Sequence, residues 1–127
     1  MDFNENQPIW NQIYQMICQS IASGKWAEEE RIPSVRELAM TLQVNPNTIM
    51  RTYEKLTQEE VIANRRGIGY FTLSGAQART GEMLRAQFFQ GQLYQLFIKM
   101  DQLGIGIDRI EQMYNLYQKQ KNDENKQ

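Results

Sequence analysis

After Pro8, apolar side chains recur at helical spacing: Ile9, Trp10, Ile13, Tyr14, Ile17 and Ile21 form a stripe that predicts an amphipathic helix. Proline suits the first turn, where its missing N–H has no helical partner to lose, and Gly24 stands where a glycine closes a helix. From Trp26 a polar linker runs through Glu28, Glu29 and Glu30 to Ile32 and Pro33. Ser34 and Glu37 then have the spacing of a capping box, which satisfies two otherwise orphan amides. Leu38, Ala39 and Leu42 continue a helix of about two turns.

Gln43 and Val44 make a turn, and the chain restarts with Asn45 as N-cap and Pro46 at the first helical position. Two short helices joined tightly, the second freshly capped, predict a helix-turn-helix. The second helix is expected over residues 45–59, with Ile49, Tyr53 and Leu56 facing a core. Asn47, Thr48, Arg51, Thr52 and Lys55 occupy the opposite stripe; all five can donate hydrogen bonds and none is anionic. A plain solvated face usually mixes signs of charge, so this stripe is the most informative stretch of the chain.

Residues 61–64 and 70–73 read as two strands of a hairpin around Arg65, Arg66, Gly67, Ile68 and Gly69, with the arginines at its tip. Ser74, Gly75 and Ala76 read as a hinge. Beyond it, Ala86, Phe89, Leu93, Leu96, Met100 and Leu103 step by three and four residues along one long helix, a coiled-coil-like seam widened by Leu84, Phe88 and Phe97. Gly104 ends that helix, and Ile107, Ile110, Met113, Tyr114 and Tyr117 form a shorter one. Residues from Gln118 onward are polar and are expected to fray. The expected fold is mostly α: a winged helix-turn-helix of three helices and a β-hairpin over residues 1–75, a two-helix dimerisation arm over 76–121, and a flexible tail over 122–127.

Composition narrows the chemistry. The 127 residues include no histidine and a single cysteine, Cys18. That removes histidine-based catalysis, histidine-containing metal sites, thiolate zinc sites and an intramolecular disulfide. No paired-carboxylate motif or phosphate-cradling loop stands out, so neither an enzyme nor a cofactor or metal is expected. Cys18 reads as a small buried hydrophobe, with redox sensing as its alternative. Trp10, Trp26 and Tyr53 read as core rather than ligand-stacking residues. No apolar run is long enough for a membrane span and no secretory signal is visible, which points to the cytoplasm. Net charge is −1, yet residues 31–79 hold seven cations against four anions, a local excess of +3.

Three blocks carry a resemblance: residues 32–39 (IPSVRELA), 44–56 (VNPNTIMRTYEKL) and 65–71 (RRGIGYF). In this order, over about residues 8 to 73, they resemble the GntR family of bacterial regulators. The Asn-Pro-Asn-Thr version at residues 45–48 and the short C-terminal segment resemble the YtrA-type subgroup, whose members have two helices in place of a large ligand-binding domain. The resemblance implies a dimer acting on DNA, commonly as a repressor of transporter operons. It also implies DNA contact by Arg36, a recognition helix bearing Asn47, Thr48 and Arg51, and a wing at residues 65–69 entering the minor groove. The family usually has glycine where Glu29, Gln43 and Glu60 stand.

Asn and Arg are the side chains able to make bidentate contacts to adenine and guanine, which makes Asn47 and Arg51 the candidates for base readout. Ser34, Arg36 and Lys55 are candidates for phosphate contact, aided by amides expected to be free at a helix N-terminus. With Asn45, Thr48, Thr52, Arg65, Arg66, Gly67 and Gly69 they complete the candidate DNA-binding set. For Arg36 the alternative is an ion pair with Glu37 or Glu54; for the wing arginines, an uncommitted charged loop. The candidate dimer interface is Phe89, Leu93, Leu96, Phe97, Met100, Leu103, Ile110 and Tyr114. A two-fold dimer predicts a palindromic duplex-DNA operator, and no effector is identified. The main alternative function is a winged-helix module that binds an acidic protein partner.

Overall fold

The computed structural model describes Phe3 and residues 5–126. The chain runs α1 (Ile9–Ala22), α2 (Val35–Leu42), α3 (Pro46–Gln58), β1 (Ile62–Arg65), β2 (Gly69–Thr72), α4 (Ala76–Gln90), α5 (Gln92–Leu103) and α6 (Ile107–Asn125). Two compact units divide it, Met1–Ala86 and Gln87–Gln127.

In the first unit each short helix begins and ends for a local reason. Pro8 precedes α1, whose buried residues Ile13, Tyr14, Ile17, Cys18 and Ile21 lie on one stripe. The capping box of α2 is formed in both directions: the Glu37 N–H donates to Ser34 Oγ at 3.1 Å, and the Ser34 N–H donates to Glu37 Oε1 at 3.2 Å. Asn45 Oδ1 accepts from the Asn47 N–H at 2.9 Å and starts α3 behind Pro46. Gln43 closes α2 at φ 56°, and Glu60, just past the α3 C-cap Glu59, stands at φ 60°. Glu29 has φ 61° in the linker turn. All three positions where glycine is usual in the GntR resemblance therefore adopt the left-handed conformation with a side chain present. Backbone bonds close both helix ends, from the Val44 N–H to the Ala39 carbonyl and from the Val61 N–H to the Leu56 carbonyl, each at 3.0 Å.

Ile49, Tyr53 and Leu56 of α3 meet the α1 stripe, with Ile32, Leu38, Ala39, Val61, Ile62 and Ala76 completing the core. The buried hydroxyl of Tyr53 donates to the Pro33 carbonyl at 2.7 Å, and that of Tyr14 donates to Glu59 Oε1 at 2.7 Å. Among the described residues no buried side-chain polar atom lacks a partner. Trp26 packs against this core half-buried.

β1 and β2 pair antiparallel, Ile62 opposite Thr72 and Arg65 opposite Gly69. The linker adds to the other edge of β2. The Glu29 and Ile32 N–H groups donate to the Thr72 and Tyr70 carbonyls at 2.9 Å each, and the Thr72 N–H donates to the Glu30 carbonyl at 3.1 Å. These contacts use only backbone, so they leave no alternation of apolar residues in the linker sequence.

Four expectations are corrected. The 74–76 segment is not a loose hinge. Ala76 is fully buried, Glu28 accepts from the Gln77 N–H at 3.0 Å, Gln77 Nε2 donates to the Ala22 carbonyl at 3.1 Å, and Arg79 donates to the Glu60 carbonyl. The first turns of α4 thus dock in the first unit, where Thr80 is also buried. The long seam helix is broken at Gly91 (φ −106°, ψ −86°), where a Cβ would stand 3.1 Å from the Gln87 carbonyl oxygen. The chain after the wing consequently forms three helices, of which α5 and α6 lie wholly in the second unit. Finally, α6 continues to Asn125, so residues 118–125 are helical rather than frayed; of the expected tail, Gln127 lies outside the described residues, as do Met1, Asp2 and Asn4 of the polar N-terminal segment.

Candidate nucleic-acid interface

The outward face of α3 is built by its register: with Ile49, Tyr53 and Leu56 turned inward, Asn47 and Arg51 are exposed and Thr48 and Lys55 half-exposed. Met50 and Glu54 are exposed between them. Thr52 is the exception. It is wholly buried, and its Oγ1 donates to the Thr48 carbonyl at 3.1 Å and the Trp10 carbonyl at 3.2 Å. Its position one residue inside the polar stripe turns it toward α1, so it ties two helices together and is removed from the outward set. Apolar periodicity could not reveal this, because threonine is equally at home on a wet face and on a dry one where a carbonyl is within reach.

The helix N-terminus also differs from expectation. Pro46 has no N–H, the Asn47 amide is taken by Asn45 Oδ1, and the Thr48 amide donates to the Asn45 carbonyl at 2.9 Å. The amides of Asn47 and Thr48 are thus engaged within the turn itself, and the cap adds its partial positive charge. Asn45 is exposed, with its Oδ1 committed to the cap; Ser34 is half-buried, with its Oγ committed to the α2 cap.

Arg36 is exposed at the start of α2. The ion pair of Glu37 goes to Arg31, at 3.4 Å, and is the one ion pair among the described residues, so Arg36 is not neutralised by Glu37 or Glu54. Hydrogen bonds from the Ser34 amide and hydroxyl, then the Arg31 charge, hold the Glu37 carboxyl below the usual carboxylate range.

In the wing, Gly67 (φ 81°) and Gly69 (φ 122°) take conformations that side chains rarely adopt. Arg66, Gly67 and Ile68 form the exposed tip. Arg65, expected at the tip, is the last residue of β1, and its guanidinium carbon lies 4.7 Å from the centre of the Phe71 ring. The hairpin's own register explains this, since residues 65 and 71 lie two pairs apart on one face.

One neighbour of the α3 face, expected from its spacing to be core, stands at the core's rim. Trp10, in the first turn of α1, packs against the core from a half-exposed position, with Arg51 Cζ 4.6 Å and Lys55 Nζ 5.4 Å from its ring centre. Lys55 Nζ is also 4.9 Å from the centre of the Tyr14 ring. Helical spacing puts Trp10 on the apolar stripe of α1, but does not show that the fully buried stretch starts one turn later and leaves the ring at the rim.

In the second unit, Phe89, Leu96, Phe97, Leu103 and Tyr114 are exposed, and Leu93 and Ile110 are partly so. Met100 departs from the expected surface: it is 8% exposed, already covered by its own chain. Tyr94, Ile98, Ile107, Met113, Leu116 and Tyr117 are further exposed apolar side chains, several of them outside the seam.

A capped helix displayed on a helical core beside a β-hairpin wing is the winged helix-turn-helix, a DNA-reading module. Residues 10–72 match the family described as bacterial regulatory proteins, gntR family. Over 112 residues the chain is 30% identical to the HTH-type transcriptional repressor YtrA of Bacillus subtilis (strain 168), spanning 88% of this chain and 85% of that protein. It is similar to a GntR-family transcriptional regulator from Bacteroides thetaiotaomicron, at 43% identity and a TM-score of 0.78, covering 89% of this chain and 99% of that one. The DNA-binding domain of AraR, solved in complex with operator ORR3, shares 25% identity over 57% of this chain and 84% of its own, with a TM-score of 0.50. The chain belongs to the GntR family, as a YtrA-type, DNA-binding transcriptional regulator and not an enzyme. Among the described residues no helix is long and apolar enough to cross a membrane.

Proposed function

We propose that this regulator binds a palindromic operator as a homodimer and represses transcription from it. The observation that carries sequence-specific binding is the α3 face: Asn47 and Arg51 project from a rigid, capped helix with their hydrogen-bonding groups clear of any ion pair. A major groove admits one helix, and these two side chains match adenine and guanine edges. Arg36, Lys55 and the Arg66-Gly67 tip supply phosphate contacts on either side, with Thr48 between the two base readers. Ser34 and Asn45 act through the caps that hold the helices in place. Arg65, stacked on Phe71, flanks the wing tip and adds positive charge beside it.

Support for a dimer comes from the second unit, where Leu96 at 40%, Phe97 at 46% and Leu103 at 61% remain exposed to water. Apolar patches of this kind on a folded chain mark an interaction surface. A closed pair with two-fold symmetry presents two reading helices to two half-sites, hence the palindrome. The repressor name carried by the B. subtilis relative favours repression over activation.

Footprinting on the DNA upstream of the protein's own gene tests the reading. A protected inverted repeat is expected, with affinity that falls linearly on a logarithmic salt scale as phosphate counterions are released. Reporter expression from that promoter should rise when the gene is deleted. Binding with no preference among duplexes would sink the proposal and favour a protein-interaction role for the same face.

A further inference from the structure

We propose that Trp10 is a positioning residue for base readout: its indole face holds the Arg51 guanidinium in place on the α3 surface, before DNA arrives. The inference rests on the operator-binding reading above and adds to it a residue outside the helix-turn-helix. Trp10 belongs to α1, yet it is locked to α3 twice. Its carbonyl accepts the buried Thr52 hydroxyl at 3.2 Å, and its ring lies under Arg51 at 4.6 Å, with Lys55 at 5.4 Å. Shallow depressions flank the ring on both sides: Ile9, Asn47 and Thr48 line one with it, and Glu54, Lys55 and Gln58 the other, with Arg51 shared by both.

The physical consequence concerns rotamer freedom. An arginine loses much conformational entropy when its guanidinium is fixed, and a residue that fixes it beforehand lowers that cost at the moment of binding. A ring face suits this task better than a carboxylate would. Stacking on an aromatic leaves the in-plane N–H donors free for a guanine edge, whereas a salt bridge would occupy them and cancel the charge. Glu54 stands three residues beyond Arg51 on the same helix, yet the pair makes no salt bridge. The buried Thr52 hydroxyl gives the arrangement its rigidity, since the first turn of α1 cannot slide along α3 without breaking that bond.

The test is a double-mutant cycle on the full chain, using a duplex cut from the footprinted upstream site. Trp10→Leu should weaken binding roughly three- to tenfold, the range of a single cation–π contact, and relax preference at the same base position as Arg51→Ala. In the Arg51→Ala background, Trp10→Leu should change affinity by less than about twofold, because only the more distant Lys55 contact is then left to lose. Trp10→Phe, which keeps an aromatic face, should recover most of the loss. Equal binding by Trp10→Leu and wild type, or fully additive losses, would overturn the inference. So would a Trp10→Leu loss spread evenly over all base positions. Wild type that binds no upstream duplex would defeat the operator reading instead. The contact itself is then judged in the DNA-free protein by the NMR signal of the Arg51 side-chain N–H, which should be shifted by the indole ring current and return to its ordinary position in Trp10→Leu. An unshifted signal in wild type overturns the inference.

Discussion

At the scale of single residues, the α3 face separates side chains by what they are free to do. Arg51 carries a positive charge that no carboxylate neutralises, so Arg51→Ala should cost specific binding about 1–3 kcal/mol and relax sequence preference at one base position. Titration of operator and scrambled duplexes against both proteins measures this; equal affinities for the operator would exclude base readout by Arg51. Glu60 presents a different single-residue effect. Its φ of 60° lies where an L side chain crowds its own carbonyl, and the local chain holds it there. The Val61 N–H bonds the Leu56 carbonyl, and Arg79 donates to the carbonyl of Glu60 itself. Both contacts are to backbone and survive a side-chain change. Glu60→Gly should therefore stabilise the fold by about 0.5–1 kcal/mol, the left-handed penalty less the extra freedom of an unfolded glycine. A chemical-denaturation midpoint shifted downward would show instead that the Glu60 side chain contributes more than its backbone strain costs.

At the scale of elements, the short α2 depends on its cap, because eight residues are too few to sustain a helix by propensity. Ser34→Ala should cost about 1 kcal/mol by freeing the Glu37 amide. The Glu37 carboxylate gives the same cap a pH dependence. Its pKa in the folded protein lies below the ordinary value of 4.5, so its stabilisation is complete above that value and fades as the pH falls through the lowered one. Wild type should accordingly lead Glu37→Gln in thermal midpoint at neutral pH, with the gap closing on acidification below 4.5. A gap independent of pH would mean that the charge adds nothing to the cap. The thiol of Cys18 is buried, and desolvation chiefly pushes it up to about 11, which keeps it a thiol at neutral pH and fits a packing role rather than redox sensing.

At the scale of the whole molecule, the proposed dimer would present two reading heads, and the exposed apolar side chains of the second unit are the surface proposed to join them. If the proposed dimer forms through these side chains, Leu96→Asp should give a monomer in light scattering, with operator affinity falling in parallel as one half-site is lost. A dimer that persists in this variant would place the interface elsewhere, with exposed Tyr94, Ile107 and Leu116 as the next surfaces to change.

Much of this was legible in order along the chain. The two caps, the inward faces of α1 and α3, the wing turn and the family blocks are local patterns, set by interactions over three or four residues or by single glycines. The resemblance likewise marked the three positions where the family usually has glycine, and at Glu60 put a left-handed backbone in question. What the sequence left undecided required knowing where distant segments meet. Thr52 looks like its polar neighbours until α1 brings the Trp10 carbonyl within 3.2 Å of it. Arg65 leaves the wing tip because strand register sets Phe71 beside it, and residues 74–76 lose their freedom because Glu28, Ala22 and Glu60 bind the chain around them. Periodicity specifies which side of an element is apolar. Tertiary packing alone decides how far along that side the core extends, and hence which polar groups remain for a partner.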